Sequence, residues 1–382
     1  MSAIQEFEKL PANSPDSILD ALETTLAAQK DYHRLFDARL IRARHKLGLP
    51  ITQPTSLRDI PKEKDAAFRE AYTDAAREIG LRLLGDGHLA DAWAYLRTIH
   101  HTEPIRAEIE RRVAQEQEPG PALDELLNVA LYEGAHTVEG IRLLLKSHGT
   151  CNTVTAMSQI IAQMTPDERR RSAAIMVSQL YTDLQASVRR DLERRQPMVR
   201  PGMSLREMIA GKEFLFADGN YHIDVSHLHS IVGFARHLQK DDPELLQAVE
   251  LAQYGSQLSE HLRYPADVPF DDYYVASEYF LKALAGREVD EALAYFTQRL
   301  NQEPDAPDKR MIAFVLVDLA QRVGRMGPAL ETAAPYLNRM DDPNGFSFTA
   351  SCVESGRLDL LEATARENDD VLAMATILLS RR

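Results

Sequence analysis

A short stretch near the middle of the chain carries the densest group of side chains that could do chemistry. Between residues 221 and 230 it holds His222, Asp224, His227 and His229. Imidazole and carboxylate groups are the ligands that zinc and iron take in proteins, and they also act as general acids and bases. The stretch therefore predicts that His222, Asp224 and His227 form either a zinc or iron site or a catalytic acid–base group.

A structural role is the alternative for the same stretch. Leu228, Ile231 and Val232 recur at helical spacing directly after Asp224, and an acidic residue is favoured at a helix N-terminus. In this interpretation Asp224 caps the helix and the histidines form hydrogen bonds within a packed bend. The sequence leaves both interpretations open.

A second acid–histidine pair lies upstream. Glu133 and His136 repeat the spacing of Asp224 and His227. Two such pairs, with two further glutamates, hold two metal ions in some helical bundles. Gly134 interrupts the first pair, which argues against a site of that kind, so the pair is predicted only to lie in a binding site.

A cysteine offers a third kind of chemistry. Gly149 ends one predicted helix, and Cys151 lies at the start of the next. The positive end of a helix lowers the pKa of a thiol, and His148 or His136 could serve as its base. The alternative is that Cys151 is a small packing residue, as free cysteines often are.

Arginine runs at residues 169–171, 189–190 and 194–195 make one predicted helix basic. They predict either a solvated face or a local site for an anion or an acidic partner. The candidate catalytic residues are thus His222, Asp224, His227 and Cys151. The candidate binding residues are Tyr221, His229, Arg236, Glu133, His136, His148 and Asn152.

Composition narrows the classes of protein. The chain has 382 residues, a net charge of −14, one tryptophan and two cysteines. Abundant Ala, Leu, Glu and Arg favour helices, and the acidic balance argues against a nucleic-acid binder. No apolar run reaches the roughly 18 residues of a membrane helix, no signal peptide is evident, and two cysteines make no disulfide framework. We therefore expect a cytoplasmic protein without a membrane partner.

The N-terminal region predicts a long helical hairpin. A helix starts at Ser14-Pro15-Asp16, and its apolar spacing alternates between four and three at Leu22, Leu26, Gln29, His33, Phe36, Leu40, Ala43 and Leu47. This predicts one helix of about nine turns, along which a helix at about 65–84 returns. Gln29 and His33 on its packed face would bond to a neighbouring helix, or His33 and Asp37 would form a buried site.

The next segment resembles a tetratricopeptide repeat. Gly80 precedes Gly87, and Ala92, Leu96 and Pro104 follow at the spacing of that family. Small residues let two helices approach closely, and proline cannot continue a helix. The resemblance implies pairs of packed helices that stack into a superhelix.

Looser copies follow, although none has the aromatic start or the full consensus of the family. Their positions are Gly286, Ala292, Phe296 and Pro304; Gly324, Ala329 and Ala333 with Pro343; Gly356 with Leu361; and Gly134, Gly140 and Leu144. We predict three parts: residues 1–117 with the hairpin and the first repeat-like unit, 118–225 as a central helical block with an irregular segment at 197–220, and 226–382 as repeats.

The expected fold is therefore all-α, a helical-repeat superhelix of tetratricopeptide type. The resemblance implies that its concave face binds a peptide or protein partner. The alternative is an enzyme, with or without a metal ion, whose pocket for a small-molecule substrate is lined by the His, Asp and Cys residues named above between the central block and the repeats. The chain has no phosphate-binding glycine loop, dinucleotide fingerprint, Gly-x-Ser-x-Gly or His-Glu-x-x-His motif.

Overall fold

The computed structural model describes residues 4, 7, 14–58, 60–115, 118–196, 198–337 and 346–381. This part of the chain is all-helical and holds no strand, which confirms the predicted all-α class. None of its helices combines the length and the apolar character that crossing a membrane requires.

The chain divides into two compact units, Met1–Ser147 and His148–Arg382. The first unit contains α1 (Pro15–Ala28), α2 (Tyr32–Lys46), α3 (Lys62–Gly85), α4 (Leu89–Leu96), α5 (Glu103–Val113), α6 (Pro121–Leu127) and the beginning of α7 (Thr137–Ile160). A π-helical turn, Asn128–Tyr132, follows α6. The three-part division at residues 117 and 225 stays a prediction.

The prediction of a single nine-turn helix at the N-terminus is wrong. The chain turns at Lys30, whose φ is 54°, and Asp31 begins α2 by accepting a hydrogen bond from the backbone N–H of Arg34 at 3.3 Å. Leu26 and Phe36 are buried on either side of the turn, so the apolar spacing continues through it. Instead of a two-helix hairpin, α2 packs against both α1 and α3.

His33 does bond to a neighbouring helix, as predicted. Its Nδ1 lies 2.9 Å from the hydroxyl oxygen of Tyr95 on α4, and the two rings stack with centroids 5.7 Å apart. His33 is nevertheless exposed, so the buried site of His33 and Asp37 is not formed.

The second unit begins within α7, where Gly149 has the non-helical angles φ 78° and ψ 179°. Its other helices are α8 (Pro166–Arg195), α9 (Leu205–Ile209), α10 (Val225–Ala235), α11 (Glu244–Gln257), α12 (Tyr273–Leu284), α13 (Val289–Gln302), α14 (Ala306–Arg322), α15 (Met326–Leu337), α16 (Phe348–Glu354), α17 (Leu358–Asn368) and α18 (Val371–Ser380).

Two Ser/Thr-x-x-Glu patterns in the sequence predict capping boxes, and the structure confirms both. Thr165 and Glu168 cap α8, and Ser204 and Glu207 cap α9, each by a reciprocal pair of side chain to backbone hydrogen bonds. The described residues of the irregular segment form α9 and two 3₁₀ turns, Glu213–Leu215 and Ala217–Gly219, and no short strand. Pro197, expected to end α8, lies outside the described residues.

Four of the predicted repeat positions share one turn structure. Gly87, Gly286, Gly324 and Gly356 follow α3, α12, α14 and α16 with φ between 71° and 92°. In each turn the next residue returns its N–H to the carbonyl oxygen five residues earlier, at 2.7–2.9 Å. This is the Schellman ending, whose left-handed position favours glycine. The sequence thus located four helix–turn–helix pairs correctly.

Close helix packing occurs where small residues predicted it. A Cβ on Gly80 would lie 2.6 Å from Cγ of Leu96, and one on Gly140 would lie 2.8 Å from Cβ of Leu131. Pro104 lies in the first turn of α5 and so begins a helix as well as following one. Pro343 lies outside the described residues.

The interior of the second unit is built on α8. Both α10 and α11 pack against it, α11 also packs against α12, and α14 packs against α13 and α15. Leu180, Leu184, Val188 and Leu192 make the buried face of α8, spaced four residues apart. This framework positions the residues 221–230 and the cavity described below.

Candidate functional site

His222 links three elements of the second unit. Its side chain is 4% exposed; Nε2 lies 3.1 Å from Oδ2 of Asp191 on α8, and Nδ1 lies 2.9 Å from the hydroxyl oxygen of Tyr254 on α11. A carboxylate only accepts hydrogen bonds, so the ring proton of His222 lies on Nε2, which donates to Asp191. Nδ1 then accepts a hydrogen bond from the hydroxyl of Tyr254. The same hydroxyl oxygen accepts the backbone N–H of His222 at 2.9 Å.

The groups of this cluster keep Asp191 ionised and Tyr254 protonated. Burial alone would raise the pKa of Asp191, but hydrogen bonds from Arg195 and His222 outweigh it and hold that pKa below the ordinary value. Burial raises the pKa of Tyr254, which keeps its hydroxyl protonated and able to donate. Both ring nitrogens of His222 are therefore occupied, and the cluster fastens α8, α11 and the start of α10 together.

Asp224 has the capping role of the structural alternative. Its Oδ1 accepts the backbone N–H of Ser226 at 2.8 Å and of His227 at 3.3 Å, and so begins α10. The Ser226 hydroxyl donates to the same oxygen, and these bonds lower the pKa of Asp224. A carboxylate used in this way stabilises the first turn of a helix.

Replacing Asp224 by alanine should lower the free energy of unfolding of the second unit by about 1 kcal/mol, because two backbone N–H groups of α10 lose their acceptor. Urea denaturation followed by circular dichroism measures the loss. Asp224→Asn keeps an acceptor at this position and should retain most of the stability. Equal losses in the two variants would contradict the capping role.

The three candidate metal ligands do not form a metal site. Within the described residues, no group of three or more His, Cys, Asp or Glu side chains could hold a metal ion. His222 is bonded to Asp191 and Tyr254, and Asp224 to its own helix. These residues are neighbours in sequence, but their side chains do not converge around one metal ion.

Glu133 and His136 also have separate partners. Glu133 accepts hydrogen bonds from Asn128 at 2.9 Å and Arg97 at 3.3 Å. His136 is buried, and its Nε2 lies 3.0 Å from Oε1 of Glu110 on α5. The pair thus does not act as one group.

Cys151 lies near the start of the helical segment that follows Gly149, as predicted, and it is exposed. Asn152 donates from Nδ2 to the backbone carbonyl of His148 at 2.9 Å, four residues earlier. The location of Cys151 after the break at Gly149 agrees with the sequence, and a catalytic role of its thiol stays a prediction.

His229 and Arg236 are brought together by Tyr273. The His229 ring stacks on Tyr273 with centroids 3.8 Å apart, and burial lowers the pKa of His229, with a further contribution from Arg236. Nη2 of Arg236 lies 3.5 Å from the Tyr273 hydroxyl, and its guanidinium carbon lies 3.8 Å from the centre of the Phe270 ring. Arg236 also lines a cavity, whose lining includes no residue of the stretch 221–230.

This cavity, which we call the arginine–phenylalanine cavity, has a volume of about 470 Å³. It is an open cavity, bordered by the start of α8, the end of α10, α12, α14 and the residues just before α12 and α16. Its charged and polar lining includes Arg169, Arg236, His237, Asp318 and Arg322, and its apolar lining includes Phe270, Phe280, Phe314 and Phe346. Its size is that of sites for small ligands or a few peptide side chains.

Arg322 holds one wall in place. It donates to the backbone carbonyls of Arg236, at 2.8 Å, and Leu238, both just after α10, and to Asp318 at 3.4 Å. These carbonyls end a helix and would otherwise lack partners. The guanidinium of Arg322 therefore connects α14 to the end of α10 and contributes positive charge to the cavity.

The cavity is positive although the protein is acidic. Burial, together with the positive charges of Arg169, Arg322 and Arg236, lowers the pKa of His237 to about 4, so His237 is neutral at pH 7. Partial burial raises the pKa of the Asp318 carboxyl, although Arg322 opposes the shift and 42% of the side chain is exposed. Three arginines against one aspartate leave a site suited to an anion.

Most residues of the cavity were not predicted as site residues. Arg236 was, and Arg169 belongs to an arginine run for which an anion site was one of two interpretations. The other two arginines of that run have different positions: Arg170 is paired with Asp242 at 2.7 Å, and Arg171 is 49% exposed. The signal that could have found the site is on α14, where Asp318 interrupts an apolar run at residues 311–320 and follows Phe314 by one helical turn, with Arg322 one turn further on.

Comparisons with known proteins find no match. The chain matches no protein-family model, no curated protein and no solved structure.

Proposed function

We propose that this chain is a helical-repeat protein of tetratricopeptide type that binds a peptide or protein partner. The arginine–phenylalanine cavity, in this proposal, receives an anionic segment of that partner. The observation that carries the proposal is the joint presence of Arg169, Arg236 and Arg322 with four phenylalanines around about 470 Å³.

The composition of the cavity supports this choice of ligand. Guanidinium groups bind carboxylate and phosphate through paired hydrogen bonds, and apolar walls strengthen those bonds by excluding water. Aromatic residues and arginine are also the side chains that dominate the energy of protein interfaces. The repeated helix–turn–helix pairs supply a rigid support for such a surface.

A reaction has less support. His222, Asp224, His136 and His229 each have a hydrogen-bond or stacking partner with a structural role. A catalytic group needs a nucleophile and a base within hydrogen-bonding reach of one another. Such a pair does not occur among the candidate residues that the structure describes, so we propose binding rather than catalysis.

Fluorescence polarisation with three labelled peptides tests the proposal. Twelve-residue peptides that combine leucine and phenylalanine with glutamate, glutamine or lysine differ mainly in charge. We expect the glutamate peptide to bind at least about tenfold more tightly than the others, because only it neutralises the arginines. Equal binding of all three, or binding of none, would refute the proposal.

Two arginines of the same helix provide the variant and its control. Arg169→Gln should weaken binding of the glutamate peptide at least about tenfold, because it removes a charge from the cavity. Arg171→Gln removes the same charge from an exposed position on α8 and should leave the affinity unchanged. Loss of binding in both variants would indicate a general charge effect and contradict the assigned site.

A further inference from the structure

The charge of the cavity specifies the anion more closely. Three arginines and one aspartate are the ionised side chains of its described lining, and His237 is neutral at pH 7. The sum is two positive charges. A carboxylate neutralises one of them, whereas a phosphate monoester carries about −1.5 to −2 at pH 7. The balance therefore favours a dianion.

The hydrogen-bond donors of Arg236 and Arg169 also favour a phosphate over a carboxylate. Nε of Arg236 is buried without a partner among the described residues, and its Nη2 has only the 3.5 Å contact with Tyr273. Arg169 uses Nε to bind the carbonyl of Met164 at 3.0 Å, and no partner of its two terminal amino groups occurs in the described part of the chain. These two arginines offer more donors than the two oxygens of one carboxylate accept, while a phosphate has three such oxygens.

The phenylalanines indicate what carries the phosphate. Phe314 and Phe346 meet edge to face with centroids 5.6 Å apart, and Phe270 and Phe280 do so at 6.0 Å. A bare phosphate would leave most of the roughly 470 Å³ unfilled and these apolar walls wet. An aromatic ring packs edge to face against phenylalanine and flat against a guanidinium, as Phe270 already does on Arg236.

We infer that the arginine–phenylalanine cavity binds a phosphate monoester carried on an aromatic ring, the chemistry of a phosphotyrosine side chain. The inference rests on the proposed function and names the residue that the partner inserts. Arg169 and Arg236 bind the phosphate oxygens, Arg322 supplies charge from its fixed position, and the phenylalanines enclose the ring. A phosphotyrosine residue and a free aryl phosphate share this chemistry.

Isothermal titration calorimetry on the full chain tests the inference with one peptide backbone. A nine-residue peptide of glycine and serine carries phosphotyrosine, sulfotyrosine, tyrosine or phosphoserine at its centre. Sulfotyrosine has nearly the shape of phosphotyrosine but one negative charge, and phosphoserine has the charge without the ring. We expect the phosphotyrosine peptide to bind at least about tenfold more tightly than each of the other three, which is about 1.4 kcal/mol.

The variants separate the cavity from the rest of the surface. Arg236→Gln should weaken the phosphotyrosine peptide at least about tenfold and should reduce its preference over the sulfotyrosine peptide. Arg171→Gln, on the exposed side of α8, should change neither. Arg322 is not used, because its loss would also free the carbonyls at the end of α10. An unchanged affinity in Arg236→Gln would overturn the inference.

Phenyl phosphate distinguishes the two sources of the ligand. Affinity equal to that of the phosphotyrosine peptide would support a free aryl phosphate as the ligand, and weaker affinity would support a phosphorylated protein. Both outcomes support binding of a phosphate monoester on an aromatic ring. Sulfotyrosine or phosphoserine peptides that bind as tightly as phosphotyrosine would overturn it. If the glutamate peptide of the preceding section binds but phosphotyrosine gives no advantage, this inference fails and the proposed function stands. If neither binds, both fail.

Discussion

Replacing Gly255 by alanine is expected to destabilise the second unit by about 3 kcal/mol, the upper end of what overpacking costs. Gly255 is buried on α11, and a Cβ at this position would lie 2.2 Å from Cδ1 and 2.3 Å from Cε1 of Tyr274. Ordinary contact between carbon atoms begins more than 1 Å further apart. The two groups cannot both keep their positions.

The tyrosine has little room to move. Its ring is 1% exposed and belongs to α12, which packs closely on α11. An added methyl group must therefore separate the two helices, and core side chains tolerate such a shift poorly. Because α12 also carries Phe280, the same change should weaken ligand binding in the arginine–phenylalanine cavity.

Thermal unfolding of the full chain measures the effect. For a unit of this size, about 3 kcal/mol corresponds to a melting temperature lower by roughly 6–12 °C. Gly85→Ala is the control, since Gly85 is an exposed helical residue whose added Cβ would meet no atom within 4 Å. It should be neutral or stabilising by up to about 1 kcal/mol. A melting temperature for Gly255→Ala within 2 °C of the unmodified protein, roughly half a kcal/mol, would refute the close approach.

Removing the hydroxyl of Tyr254 has the second large expected effect. Tyr254→Phe should lower the free energy of unfolding by about 2 kcal/mol, because it leaves two buried groups of His222 without their partner. Those groups are the backbone N–H and Nδ1, each 2.9 Å from the hydroxyl oxygen. The volume of the core hardly changes, so the loss reports on the hydrogen bonds.

Tyr221→Phe provides the matched control one residue before His222. Tyr221 is 52% exposed, so the loss of its hydroxyl should change the stability by less than about 0.5 kcal/mol. Urea denaturation of both variants gives the comparison. Similar losses for Tyr221→Phe and Tyr254→Phe would show that the cluster around His222 does not stabilise the unit as described.

Several local features could be predicted because a few neighbouring residues determine them. The capping box of Thr165 and Glu168 and the cap at Asp224 depend on side chains within four positions of the helix start. The turns at Gly286 and Gly324 depend on a residue that accepts positive φ. In such cases the hydrogen-bond partners are fixed by the local chain, so the sequence pattern and the structure agree.

The wrong N-terminal helix shows where a periodic pattern misleads. Hydrophobic spacing reports which face of the chain is buried, and Leu26 in α1 and Phe36 and Leu40 in α2 are buried residues of that pattern. The turn at Lys30 lies between Gln29 and His33, the two polar members of that spacing, and both are exposed. Asp31, a helix-capping residue in the middle of the apparent helix, was the available sign of the break.

The sequence by itself determined the all-α class, the starts and ends of many helices, and the unusual polarity of residues 221–230. Only the tertiary structure decided the role of His222: its side chain bonds to Asp191 and Tyr254, which are about thirty residues away in sequence. It also assembled the cavity, whose arginines at 169, 236 and 322 belong to three different helical regions. Caps and turns follow from neighbours in sequence, whereas a cavity depends on which distant helices pack together, and no local spacing records that choice.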